Sequence, residues 1–223
     1  MRTKLIFIAK TVFFFVLIFN NLFLFSQKIL IEKSDNLIEI EAEKFDKQFF
    51  DKVRYWKKIS FETDLSEFGE KNESQKASNQ SYIQILPDTR RTHNDSLKDG
   101  VNFSDSPDKI AVVSYKVKFK KVGRYYVWVK ALSTGTEDNG LHVGIDNTWP
   151  ESGKRMQWCG NRGNWMWGSK QRTKSNHCGE PYMIFLDINK KGKHTIQFSM
   201  REDGFRFDKF ILTTNKNYLP TND

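Results

Sequence analysis

Between Trp149 and Cys178 the chain gathers Trp149, Trp158, Trp165 and Trp167, four of its six tryptophans, among Arg155, Arg162, Lys170 and Arg172. An indole is bulky and its N–H wants a partner, so a small core does not ask for this density in a turn-rich segment. Flat aromatic faces beside cationic donors suit sugar rings, whose C–H faces stack and whose hydroxyl, carboxylate or sulfate groups accept hydrogen bonds. The candidate ligand contacts are therefore Trp149, Trp158, Trp165, Arg155 and Lys170, with Arg172 beside them. Trp165 and Trp167 share a strand parity, so that pair is equally readable as core. Asp138, Asn139 and His142, in a loop-to-strand segment around 134–141, add hydroxyl-binding candidates, although turn formation explains Gly135, Asp138 and Asn139 as well. Asp88, Arg90, Arg91 and His93 form a further polar cluster, readable as a surface loop with local ion pairs.

Cys159 and Cys178 are the only cysteines. In an exported chain an isolated pair is most simply a disulfide, worth roughly 3 kcal/mol by chain entropy for a loop of this length. The competing arrangement, a metal held by Cys159, His177 and Cys178, lacks a standard zinc spacing and a fourth ligand. Export is expected from the N-terminus, where Arg2, Lys4 and Lys10 precede an apolar run over 11–25 that ends in Ser26-Gln27. Cleavage near Ser26 would leave a secreted, periplasmic or cell-surface protein with no stable membrane insertion. An uncleaved anchor is the alternative, but Asn20-Asn21 interrupts a run already short for a span.

Removing residues 1–26 takes three basic and no acidic residues from 36 and 27, leaving 33 and 27, a net +6. That mild basicity favours acidic glycans or other polyanions, though dispersed basic residues also make an ordinary solvated surface. No basic block or nucleic-acid motif is present, so nucleic acid is not an expected partner.

The elements that would carry these side chains read as β. Val113, Tyr115, Val117 and Phe119 alternate with Ser114, Lys116, Lys118 and Lys120, and the run 125–132 is rich in Tyr, Val and Trp. Leu141, Val143 and Ile145 alternate in turn, as do Tyr182, Ile184 and Leu186, then His194, Ile196, Phe198 and Met200, and finally the run 205–212. The segment 46–74, with Phe49, Phe50, Tyr55 and Trp56, is readable as a short helix before a flexible loop. Short strands separated by turns predict an all-β, antiparallel sandwich or jelly roll. The expected organisation is a signal peptide over 1–26, a short leader over 27–37, one domain over 38–214 and a tail over 215–223.

Four runs carry a family resemblance: Leu86-Pro87-Asp88-Thr89-Arg90, Gly123-Arg124-Tyr125-Tyr126-Val127-Trp128-Val129, Asp146-Asn147-Thr148-Trp149-Pro150-Glu151-Ser152-Gly153, and Met200 through Phe210 with its Glu202-Asp203-Gly204 centre. In this order they resemble the C-terminal domain of family 115 glycoside hydrolases, and more distantly carbohydrate-binding modules of families 6 and 35. The resemblance implies a secreted sandwich binding glycan at loops on one end, through an aromatic platform and a polar residue of the last loop. Arg206 stands near the position where those modules commonly have asparagine. It also implies a structural Ca²⁺ held by a Glu-X-Glu first strand and an acidic residue on the last, here Glu41, Glu43 and Asp208. From the residues alone, Glu39, Glu41 and Glu43 share one face of a strand while Ile38, Ile40 and Ala42 point inward; such a face is either solvated or, with added oxygens, suited to Ca²⁺.

The function expected is non-catalytic binding of a polysaccharide, an acidic or sulfated one in preference to a neutral one, by a monomer. No nucleophile elbow, phosphate loop or zinc-protease helix is present. A small lyase using Tyr182, His142 and Arg155, a hydrolase, and a structural or adhesive protein remain as alternatives, because fold does not fix function.

Overall fold

The computed structural model describes residues 30–31, 37–160 and 162–221. The expected signal peptide and most of the expected leader lie outside the described residues. In chain order the strands are β1 (Leu30–Ile31), β2 (Leu37–Glu41), β3 (Lys47–Phe49), β4 (Tyr55–Ser60), β5 (Ser81–Leu86), β6 (Val112–Phe119), β7 (Gly123–Leu132), β8 (Gly140–Ile145), β9 (Met156–Gln157), β10 (Trp165–Gly168), β11 (Lys170–Gln171), β12 (Glu180–Pro181), β13 (Phe185–Ile188), β14 (Gly192–Met200) and β15 (Arg206–Thr213). One sheet runs β1-β6-β14-β8-β9-β11-β12, with β3 added to β6; the other runs β10-β7-β15-β5-β4, with β13 on β7 and β2 on β15. The pairings are antiparallel apart from β1 on β6. This is the all-β sandwich that the alternating runs predict. Among the described residues no helix is long and apolar enough to cross a membrane.

The core follows from side-chain period two. Val113, Tyr115, Val117 and Phe119 of β6 face Tyr125, Val127 and Val129 of β7, and Ile196, Phe198 and Met200 of β14 complete the layer. Tyr115 packs edge-on to Phe210 with centroids 4.9 Å apart, and its hydroxyl donates to the Ala42 carbonyl at 2.8 Å. In β15 the register shifts between Phe207 and Lys209, so Phe207, Phe210 and Leu212 all reach the core while Lys209 turns outward.

The helix expected within 46–74 is instead β4 followed by 3-10 turns at Ser66–Phe68 and Ser74–Lys76. Trp56 and Ile59 are three apart, a spacing that mimics a helical face. They lie on opposite faces of a strand covered on both sides: Trp56 enters the inter-sheet core, and Ile59 enters a second cluster with Leu65, Tyr82, Leu86, Leu132 and Trp165. Tyr182 also departs from the alternation expected with Ile184 and Leu186. It falls outside any strand, exposed and at φ 62°.

Candidate functional site

Loops at one end of the sandwich enclose a polar groove with two connected lobes of about 670 and 720 Å³ that share Phe103, Arg172, His177 and Arg201. Asp138 braces the loop that forms one wall through Thr136, Glu137 and Asn139. Its carboxylate accepts from the Thr134 N–H at 2.8 Å, the Thr134 hydroxyl at 2.7 Å, the Gly135 N–H at 3.0 Å and the Ser133 hydroxyl at 2.8 Å. It is also 3.2 Å from Arg206 Nη1, and Arg206 pairs through Nη2 with Glu70. Both Asp138 and Arg206 are buried, so these two expected ligand contacts are committed to holding the loop. Asn139, buried beside them, lines the groove; its N–H donates to Glu202 at 2.9 Å and its carboxamide accepts from Gln157.

The opposite wall is stapled. Cys159 and Cys178 form a disulfide, which excludes the three-residue metal alternative, and both line the groove with His177. Most charges here are neutralised locally: Arg90 by Glu137, Arg155 by Glu151, and Arg201 by Glu202 at 2.7 Å. The Arg201 guanidinium also lies 4.9 Å from the centroid of the half-buried Phe103 ring. Arg172 differs. Half-buried, it has no carboxylate partner within ion-pair distance among the described residues, and its guanidinium meets His177 Nδ1 at 3.5 Å. Burial and the neighbouring Arg201 charge lower its pKa from the ordinary arginine value. A guanidinium so placed is a donor fork for a carboxylate or sulfate.

The tryptophans do not converge on this groove. Trp158 is 2 % exposed and packs on Phe205, and Trp165 is 8 % exposed with its ring 5.3 Å from that of Tyr82. Burial removes both from the expected platform; the reason is that β10 and the β9 region cover hydrophobic clusters on both faces. Trp149 covers the backbone at Gly144, where a Cβ would come within 2.7 Å of the indole. Arg155 and Asn139 line the groove, whereas Lys170 and Trp158 line a separate concavity. Phe103, Arg201 and Gln157 escaped sequence reasoning. The charged turn of Arg201, Glu202 and Asp203 just before the last strand could have flagged Arg201, while nothing in the local sequence marks Phe103 or Gln157.

Glu41, Glu43 and Asp208 approach one another near β2 and β15. Burial pushes the Asp208 pKa up to about 6, opposed by Lys130 and reinforced by Glu41; burial likewise raises Glu43, with Glu41 and Asp208 adding to it. Glu41 Oε2 and Glu43 Oε2 are buried without hydrogen-bond partners, while Asp208 Oδ2 faces only the Lys130 ammonium at 3.4 Å. The Ser78 N–H and hydroxyl brace Asp208 and Glu41 at 2.9 and 3.0 Å. Orphaned carboxylate oxygens are hard donors of the kind Ca²⁺ takes, so the donor chemistry fits this cation. Among the described residues no three such groups are closed into a ready cage.

Residues 32–221 match the model of the glycosyl hydrolase family 115 C-terminal domain. A curated relative from Formosa agariphila, "Uncharacterized protein P23", is 57 % identical over 198 residues, covering 87 % of this chain and 48 % of the relative. The chain thus spans about half the length of the curated relative it matches. Among solved structures it is similar to a family 35 carbohydrate binding module from Clostridium thermocellum, with TM-score 0.45 and 10 % identity over 79 % of this chain and 96 % of that one. It is also similar to the Podospora anserina GH26-CBM35 β-(1,4)-mannanase, with TM-score 0.45 and 10 % identity over 84 % of this chain and 29 % of that one.

Proposed function

We propose, from the premise that the chain belongs to the family of glycosyl hydrolase family 115 C-terminal domains, that it binds a polysaccharide without cleaving it. The ligand we infer is an acidic chain lying in the groove beside Arg172. The observation that carries this reading is the half-buried Arg172 guanidinium, without a carboxylate within ion-pair distance among the described residues, in a groove that Phe103 and the Cys159–Cys178 staple also line. An anionic substituent would complete the charge balance that the other groove arginines already have, and the phenyl ring and disulfide supply an ordered surface at little entropic cost. The disulfide also supports action outside the cell. A bound Ca²⁺ at Glu41, Glu43 and Asp208 belongs to the same reading as a structural ion: it would neutralise buried carboxylates and take no part in ligand contact.

Affinity electrophoresis in gels containing polygalacturonate, alginate, dextran sulfate or neutral xylan tests this. Retardation by an acidic polymer, weakened in Arg172→Ala and decreasing with salt, is the expected result. New reducing or unsaturated ends after incubation would instead identify an enzyme, and migration unaffected by every polymer would favour a structural role.

A further inference from the structure

A second concavity of about 270 Å³ shares Gln157 and Cys159 with the groove but carries four aromatic side chains where the groove carries arginines. Its walls are aromatic and apolar: Trp128 from β7, Trp167 from β10, Tyr182 after β12 and Leu219 from the C-terminal segment, over a floor made by Trp158. Trp128 and Trp167 are half-buried and belong to neither hydrophobic cluster, so the packing of the sandwich does not account for them. Trp167 is held in place: its indole N–H donates to the Thr221 carbonyl at 2.8 Å, and the Lys209 ammonium lies 5.8 Å from its ring centroid.

Two features mark the place as built. Gly168 lies against Trp158, and a Cβ there would collide with the indole, so glycine admits the ring that forms the floor. Trp158 Nε1, in a residue 2 % exposed, has no hydrogen-bond partner. At the mouth Tyr182 is 36 % exposed at φ 62°. That conformation costs an aromatic residue about 1–3 kcal/mol, and it persists only where the surroundings hold it.

We propose that this concavity is a sugar subsite that takes one uncharged pyranose ring by stacking on Trp167 and Trp128. The adjacency part rests on the polysaccharide reading above: through Gln157 and Cys159 the subsite continues the groove, so a chain with an acidic unit near Arg172 lays a neutral neighbour onto the indoles. The lining offers no arginine fork for an acidic group: Lys170 is its one cation, and the Lys209 and Lys216 ammonium groups lie against the Trp167 and Tyr182 rings, so the face of an uncharged ring suffices to fill it. Fixed indole faces then offer C–H stacking with little further ordering.

The probes are methyl β-D-glucopyranoside and methyl β-D-xylopyranoside, titrated into ¹⁵N-labelled full-length protein while the indole N–H resonances are followed. Saturable shifts of the Trp128 and Trp167 signals are expected with at least one probe, and Trp167→Ala should weaken the Trp128 response roughly tenfold, about one stacking contact. Should that variant not fold, Tyr182→Ala at the exposed mouth provides the same comparison. Arg172→Ala should keep the indole response while weakening retardation by the acidic polymer at low salt. No saturable shift with either probe, or a Trp128 response unchanged by both Trp167→Ala and Tyr182→Ala, would overturn the subsite. An intact indole response in a wild-type protein that no polysaccharide retards would sink the groove reading and leave the subsite standing.

Discussion

The backbone N–H of Arg155 donates to Nδ1 of His142 across 3.0 Å, and this fixes the neutral ring with its proton on Nε2, which donates to the Ser104 carbonyl at 3.0 Å. A buried imidazole thereby ties the Arg155 side of the groove to the loop that carries Phe103. Burial lowers the His142 pKa to about 4; the Ser104 carbonyl and Asp105 oppose that, and Arg201 and Arg155 reinforce it. The unfolded chain therefore takes up this proton first, near 6.5, and stability present above that pH is lost as pH falls from 6.5 towards 4. The loss should approach about 3 kcal/mol. Melting curves across that window should fall more steeply for the wild type than for His142→Gln, and parallel curves would refute the assignment.

Asp88 should produce the reverse trend. Burial pushes its pKa up to about 7, and Asp203, Glu70 and Asp138 add to that push. The folded protein therefore binds this proton more tightly than the unfolded chain, and stability declines as pH rises from about 4 to 7. Asp88→Asn should raise the melting temperature at pH ~8 by an amount equivalent to roughly 1–4 kcal/mol and have little effect near pH ~4. A variant destabilised equally at both pH values would show that folding does not raise this carboxyl's pKa.

Trp158→Ala and Trp165→Ala should act on stability, each costing about 3–5 kcal/mol as buried large-to-small changes do. Arg172→Ala, at a half-buried site, should leave the melting temperature within a few degrees and weaken acidic-polymer retention mainly at low salt. Thermal melts run beside affinity gels separate the two classes. Full retention by Arg172→Ala at low salt would remove that residue from the site.

A structural Ca²⁺ would stabilise by mass action, about 2.7 kcal/mol at a hundredfold excess over its dissociation constant. Chelation should lower the melting temperature, Ca²⁺ should restore it, and Asp208→Asn should abolish the response. The same melting curve with and without Ca²⁺, in protein verified metal-free, would dismiss the ion.

Much of the sandwich was legible because period-two burial writes itself directly into the strands: in β6 Lys116 and Lys118 alternate with Tyr115, Val117 and Phe119, and in β14 Thr195 and Gln197 alternate with Ile196 and Phe198. The strand at 55–60 was hidden because both of its faces are covered, which gives Trp56 and Ile59 a helical spacing. The Phe207 to Lys209 bulge was likewise hidden, since it reverses parity without changing composition. At the site, residue types announced aromatic and cationic chemistry but could not sort it. Trp165 is drawn inward by Tyr82, Trp167 is held at the surface by Thr221, and Arg206 is claimed by Asp138 and Glu70. Those partners are distant in sequence, and only the fold brings them together.

The antiparallel pairing of β2 with β15 sets Leu37 against Thr213, while the opposite end of β15 begins at Arg206, beside the groove. Past β15, however, the chain runs on to Leu219, which lines the aromatic concavity, and to Thr221, whose carbonyl holds the Trp167 indole. A segment that continued beyond Thr221 would therefore start beside those indoles and not at the Leu37 end of β2.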